Sequence, residues 1–273
     1  MTTRIWYQSM APLGHLPRYV EFLKRHARQV CEEDTQVTLR GASEHWYGTR
    51  TPAELLQYPY VKHVIQREAI DFCRQAQDDG FDAVILGSFS EPFLAEIRSM
   101  LEVPVVSMPE SALLVACSLA ERFALVALGP AGVKRVGAMV RRHGLGERVS
   151  EITPLMRPVT EAELEAAFTA PDQVLADFTT VARQVVANGA DLVIPAEGVI
   201  SELLFWNGVR TIDGATVMDC VGNALAYAEM LVRLKRRCGM GVGRRWAYCT
   251  PPHDLLALVE TQVARHRPTP PAG

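Results

Sequence analysis

GFDAVILGSFSEPFL, residues 80–94, opens as a strand and breaks at Gly87. Ala83–Leu86 is a continuous apolar run stopped by a glycine, the pattern of a strand covered on both faces. Where an ordinary turn would suffice, the chain places two hydroxyls, a phenylalanine and an acid: Ser88, Phe89, Ser90 and Glu91. The same grammar returns in NGADLVIPAEGVISEL, residues 188–203. Gly80–Ser88 aligns with Gly189–Glu197 without a gap, and Gly, Asp, Val and Ile recur at matching places. RIWYQSMAP, residues 4–12, echoes RFALVALGP, residues 122–130. Together these read as a duplicated αβ unit. Ser88 and Glu197 then occupy equivalent positions, each at the carboxyl end of its strand. Open α/β sheets bind their ligands outside that end.

Outward from this pair, short apolar runs alternate with longer amphipathic stretches, which favours parallel strands. Strands are expected at Arg4–Ser9, Gln36–Gly41, Phe81–Ser88, Val103–Met108, Phe123–Leu128, Val149–Thr153, Asp191–Pro195 and Ala215–Cys220. Helices are expected at Arg18–Val30, Val61–Gln77, Glu91–Met100, Ser111–Arg122, Ala131–His143, Glu161–Ala187, Val199–Phe205, Asn223–Arg237 and Pro252–Arg265. His45–Tyr60 reads as an irregular segment able to cover a site, and the tail RPTPPAG as frayed. Together with a family resemblance carried by these same segments, the alternation and the echo give the expected fold: α/β, two similar four-stranded parallel-sheet domains related by a pseudo-twofold axis, with the active site in the cleft between them. Residues 1–113 with 224–273 would form the first domain, and 114–223 the second.

Bulk properties narrow the function. The 273 residues suffice for two domains with real cores. A net charge of −3 gives no electrostatic footprint for nucleic acid or a membrane surface. No apolar run reaches the ~18–20 residues of a membrane span, and MTTRIWYQSM lacks the pattern of a signal peptide. Cys31, Cys73, Cys117, Cys220, Cys238 and Cys249 include no CxxC pair, so neither a zinc site nor a redox motif is expected. They read as reduced, mostly buried thiols of a cytoplasmic protein.

The segments RIWYQSM, GFDAVILGSFSEPFLAEIRS, VPVVSMPESALLVA, RFALVALGP and GADLVIPAEG resemble the aspartate/glutamate racemase superfamily, and within it the hydantoin racemase-like branch. The resemblance covers most of the chain. It implies cofactor-independent and metal-independent chemistry on a small-molecule substrate, and a homo-oligomer. In the family each of the two strand ends usually carries a cysteine: one takes a proton from the substrate carbon and the other returns one from the opposite face. Here the family frame acf-D-P-g-L is Gly87-Ser88-Phe89-Ser90-Glu91-Pro92-Phe93-Leu94, and l-G-C-a-g is Pro195-Ala196-Glu197-Gly198-Val199. Both cysteine positions are replaced, so the resemblance carries the fold but not a two-thiol mechanism.

The pair that replaces the thiols is asymmetric. A serine hydroxyl is a poor proton acceptor near neutral pH, though it donates hydrogen bonds and attacks when a base activates it. A glutamate is an effective base once desolvation raises its pKa. Single-base isomerase or decarboxylase chemistry on a small carboxylate or cyclic ureide is one reading. There Glu197 moves the proton, and Ser88 with the N–H groups of Phe89, Ser90, Gly198 and Val199 holds an oxyanion. Hydrolysis by the same two residues is a second, and a catalytically silent ligand-binding protein a third. Plain structural roles compete: Ser90 as a helix cap before Pro92, and Glu197 as a first-turn acid. Gln8 and Ser9 end the first strand and are further candidates for substrate contact. Glu110, which also matches a family glutamate, is another candidate or simply opens its helix. Cys220 is expected to be a buried thiol, and Trp46 and Tyr47 are candidates for a lid.

Overall fold

The computed structural model describes residues 2–265, so the tail expected to fray lies outside the described residues. One parallel sheet takes β1 (Thr3–Gln8), β2 (Thr35–Arg40), β3 (Ala83–Leu86) and β4 (Val105–Ser107) in the order β2-β1-β3-β4. The other takes β5 (Phe123–Ala127), β6 (Val149–Pro154), β7 (Leu192–Pro195), β8 (Thr211–Ile212) and β9 (Ala215–Val217) in the order β6-β5-β7-β9-β8. Between the strands run α1 (Pro17–Val30), α2 (Pro52–Leu56), α3 (Pro59–Gln66), α4 (Glu68–Asp78), α5 (Leu94–Met100) and α6 (Met108–Leu119). They continue as α7 (Pro130–Arg142), α8 (Glu161–Ala166), α9 (Asp172–Ala187), α10 (Gly198–Trp206), α11 (Cys220–Cys238) and α12 (His253–Arg265).

The duplication read from sequence is present in the strand order and in matching hydrogen bonds. The Asp82 N–H donates to the Arg4 carbonyl (2.8 Å) as Asp191 does to Arg122 (3.0 Å). The Gly87 N–H donates to Gln8 (2.9 Å) as Ala196 does to Val126 (2.8 Å). The sheets are not both four-stranded, however. β8 is a fifth strand, antiparallel to β9 and joined to it by Asp213-Gly214, both at positive φ. Its two residues are too short to show a period, and the Asp-Gly hairpin turn is what announces it.

Side-chain alternation splits the first sheet between two cores. Ile5, Tyr7, Ala83 and Ile85 join a core continuous with Leu125 and Ile194 of the second sheet. Trp6, Val84 and Leu86 face the other way, onto Cys73 of α4 and Ile97 of α5. Val84, Ile85 and Leu86 are fully buried, each worth about 1.5–3 kcal/mol.

Other boundaries move for local reasons. The segment expected as one helix over Val61–Gln77 is α3 and α4, parted at Arg67, and the one over Glu161–Ala187 is α8 and α9, parted by a loop ending at Pro171. His45–Tyr60 contains α2, opened by a Thr51/Glu54 capping box. The expected strand Ala215–Cys220 ends at Val217, because Asp219 caps α11 and makes Cys220 its first residue. Only Cys73 and Cys220 of the six cysteines are buried; Cys31 and Cys117 are partly exposed, and Cys238 and Cys249 exposed. Among the described residues no helix is long and apolar enough to cross a membrane.

Candidate functional site

Ser88 and Glu197 each stand two residues beyond a central strand, β3 and β7. The two ends are finished differently. After β7 the chain bends and enters α10 directly, with Glu197, itself in extended backbone, as the N-cap. The Ile200 N–H donates to Glu197 Oε2 at 2.8 Å. The N–H groups of Gly198 and Val199 also favour the charged carboxylate. Burial opposes them and prevails, and nearby Glu161 adds to it, so the carboxyl is pushed up from 4.5 to about 7. The Gly198 and Val199 N–H groups, expected to hold a substrate oxygen, thus also act on Glu197.

After β3 no helix begins at once. α5 starts only at Leu94 and has no side-chain cap, so Ser90 is not its cap and Phe89 and Ser90 do not lie at a helix N-terminus. Ser88 opens a turn instead: the Glu91 N–H donates to its carbonyl (3.1 Å) and the Ser90 N–H to its hydroxyl (3.2 Å). The Ser88 and Ser90 hydroxyls are 3.1 Å apart. Phe89 is buried, with Ser88 and Ser90 partly exposed beside it.

Two tyrosines, not singled out by their sequence context, link the ends. Tyr7 on β1 lies against Gly87, and Tyr19 on α1 lies against Gly198: a Cβ at Gly198 would sit 3.3 Å from the Tyr19 hydroxyl. The Tyr7 hydroxyl faces that of Tyr19 without the geometry of a full hydrogen bond, and is otherwise unpartnered. Burial holds both phenols well above their ordinary range, and Glu197 acts on both. Both phenols are therefore protonated near neutral pH. The signal available in sequence was the pairing of a β1 aromatic with a glycine before Ser88. At Gly87 a Cβ would lie 2.3 Å from the Tyr7 ring. Gly87→Ala is therefore expected to cost about 1–3 kcal/mol by overpacking, measured by chemical denaturation; an unchanged midpoint would mean Tyr7 yields freely.

The remaining candidates have partners within the protein. Gln8 is buried on the Trp6 face, accepting from the Trp6 indole (3.1 Å) and donating to the Ser9 and Arg40 carbonyls (2.9 and 3.4 Å). Ser9 accepts from the Ala11 N–H (3.2 Å) in a turn. Glu110 lies in the first turn of α6, capped by Ser107, and pairs with Arg98 (3.1 Å). Cys220 is fully buried, its thiol donating to the Pro195 carbonyl (3.4 Å), and burial keeps that thiol protonated. Trp46 is exposed and donates to Glu68 (3.0 Å), whereas Tyr47 is buried, its hydroxyl in the field of Glu68 and Glu161. Glu161 thus acts on both Tyr47 and Glu197.

Below the site a second buried network joins three helices. His26 on α1 contacts Glu202 of α10 through Nδ1 (2.6 Å) and Asp219, the cap of α11, through Nε2 (2.9 Å). Its ring stacks on Phe205 with centroids 3.6 Å apart. Burial would depress its pKa, but the bonds to Asp219 and Glu202 outweigh burial and raise it from 6.5 to about 9.

Comparison with known proteins agrees with this architecture. Residues 19–217 match the family model described as Asp/Glu/hydantoin racemase. A hydantoin racemase of Pseudomonas sp. (strain NS671) is 24% identical over 217 residues, spanning 79% of this chain and 81% of that protein. The solved allantoin racemase of Pseudomonas fluorescens superposes with a TM-score of 0.75 at 20% identity, covering 99% of this chain and 100% of that one. That of Klebsiella pneumoniae gives 0.73 at 17% identity, over 92% and 94%. On this match the chain belongs to the Asp/Glu/hydantoin racemase family, in its hydantoin racemase-like branch.

Proposed function

We propose that the protein is an isomerase-type enzyme moving a proton at the acidic ring carbon of a small cyclic ureide, with Glu197 as the acid/base. The observation that carries this is the Glu197 carboxyl: at the carboxyl end of a central strand, tethered by Ile200, and raised by burial to about 7. A base poised near neutrality exchanges protons in both directions at physiological pH. Ser88 supplies a hydroxyl that donates to the developing enolate oxygen.

A cyclic ureide is favoured over a carboxylate because the charged neighbour acting on Glu197 is another acid, Glu161, rather than a cation. An anionic substrate would be repelled there. The relatives named as hydantoin and allantoin racemases support the same class. Hydrolysis through a serine nucleophile is less well supported. The Ser88 hydroxyl is bonded to the Ser90 hydroxyl and N–H, and neither is a base.

Proton NMR in D₂O tests the reading with 5-benzylhydantoin and allantoin, against aspartate, glutamate and phenylmalonate. Deuterium is expected at the ring carbon of a hydantoin. With one effective base, exchange should outpace inversion. The rate should rise with pH through an apparent pKa of about 7, because Glu197 acts as a base only once it loses its proton. Ring opening without carbon-bound deuterium, or a rate flat across that range, would reject Glu197 as the proton-transfer group.

A further inference from the structure

Two non-glycine residues of the Ser88 turn hold positive φ, Glu91 at 31° and Phe93 at 57°. Such backbone persists only where its surroundings over-determine it, and it concentrates at functional sites. Here a buried carboxylate does the fixing. The Glu91 side chain is fully buried and collects donors from both halves of the molecule. From the first sheet, the Ser107 hydroxyl at the end of β4 donates at 2.6 Å. From the second half, His143 Nε2 lies 2.9 and 3.0 Å from its two oxygens, and Arg142 Nη1 3.1 Å away. Arg142 is the last residue of α7 and His143 its C-cap, so both sit on an element packed against β5 and β6. His143 also faces Glu110 through Nδ1 (3.6 Å), and Arg98 holds Glu110 in place. A cavity of about 420 Å³ borders this network, with Glu91, Arg142 and His143 in its wall. At the other end of the chain of contacts, Glu91 donates its own N–H to the Ser88 carbonyl (3.1 Å).

We infer that Glu91 is a positioning residue and His143 a latch: the second half of the molecule grips Glu91 and thereby holds the strained turn that carries the Ser88 hydroxyl. The position of Ser88 is then conditional on the two halves being closed on one another. The inference rests on the reading of Ser88 and Glu197 as the reacting pair. It adds that the contact between the halves controls one member of that pair, while Glu197, fixed by its own helix, is independent of it.

The test compares His143→Ala and His143→Gln with the wild type by amide hydrogen exchange and by deuteration of 5-benzylhydantoin. In His143→Ala, exchange over residues 88–94 is expected to speed up at least roughly tenfold, with α10 unchanged. The same variant should lose about tenfold or more in kcat while KM stays within about twofold, as for a group misplaced in the transition state. In His143→Gln the carboxamide retains one N–H donor toward Glu91, and both effects should largely recover. Unchanged exchange over residues 88–94 would overturn the latch, as would acceleration spread evenly over both sheets. The exchange readout involves no turnover, so it stands even if Glu197→Gln proves active and the chemical assignment fails.

Discussion

Glu197→Gln should lower deuteration of the substrate carbon by about 10²–10⁴-fold, the range that a positioned acid/base contributes, and leave the fold intact. The glutamine carbonyl can still accept the Ile200 N–H that now reaches Glu197 at 2.8 Å, so the α10 cap survives. Stability should shift in a pH-dependent way. In the wild type the folded carboxyl has its pKa raised from 4.5 to about 7, so folding takes up a proton across that interval. Its contribution is present in full at low pH and lost as pH rises through about 7. The variant lacks this slope and should be relatively more stable above pH 7 than below it. Thermal melts against pH, paired with the D₂O assay, read both effects. Full activity in Glu197→Gln would end the assignment.

His26→Leu should be the most damaging single change to the fold, costing about 3–5 kcal/mol near neutral pH because it strands two carboxylates around a buried site. A loss of that size corresponds to roughly 10 °C or more in Tm for a chain of this length. Glu202 is completely buried, and its remaining donor is the Trp206 indole at 2.9 Å. The leucine fills the space beside Phe205, so the loss reports on charge more than on volume. Acid should relieve it, because burial already raises the Glu202 carboxyl and a proton there removes the stranded charge. In the wild type the His26 pKa is raised from 6.5 to about 9, so its stabilisation is complete below about 6.5 and lost as pH rises through about 9. Replacing Glu202 by leucine as well should recover part of the deficit. A Tm unchanged within a degree in His26→Leu would mean the network is not holding α1, α10 and α11 together.

The separation between what was legible and what was not follows the range of the interactions. Ala83–Leu86 and Leu192–Pro195 are short runs of consecutive buried side chains, and their continuity, length and flanking Asp and Gly residues mark them as strands covered on both faces. β8 escaped because two residues carry no period. α5 begins late because Glu91 answers to Ser107, Arg142 and His143 rather than to its own helix. In the same way α1 has no side-chain cap of its own. The Arg18 and Tyr19 N–H groups are taken by the Glu165 carboxylate of α8, at 2.8 and 3.3 Å.

By itself the sequence determined the duplicated α/β architecture, and with it the equivalence of Ser88 and Glu197 at the two strand ends. Hydrophobic periodicity and strand-end composition are local properties that survive without knowledge of the neighbours. Only the tertiary structure decided that burial raises the Glu197 carboxyl to about 7, that Tyr7 lies against Gly87 and Tyr19 against Gly198, and that Glu91 beside Ser88 meets Arg142 and His143. Desolvation and buried hydrogen bonds depend on groups far apart in the chain. Glu91 lies 52 residues from His143, and His26 lies 176 from Glu202. No pattern within either segment records that these side chains meet.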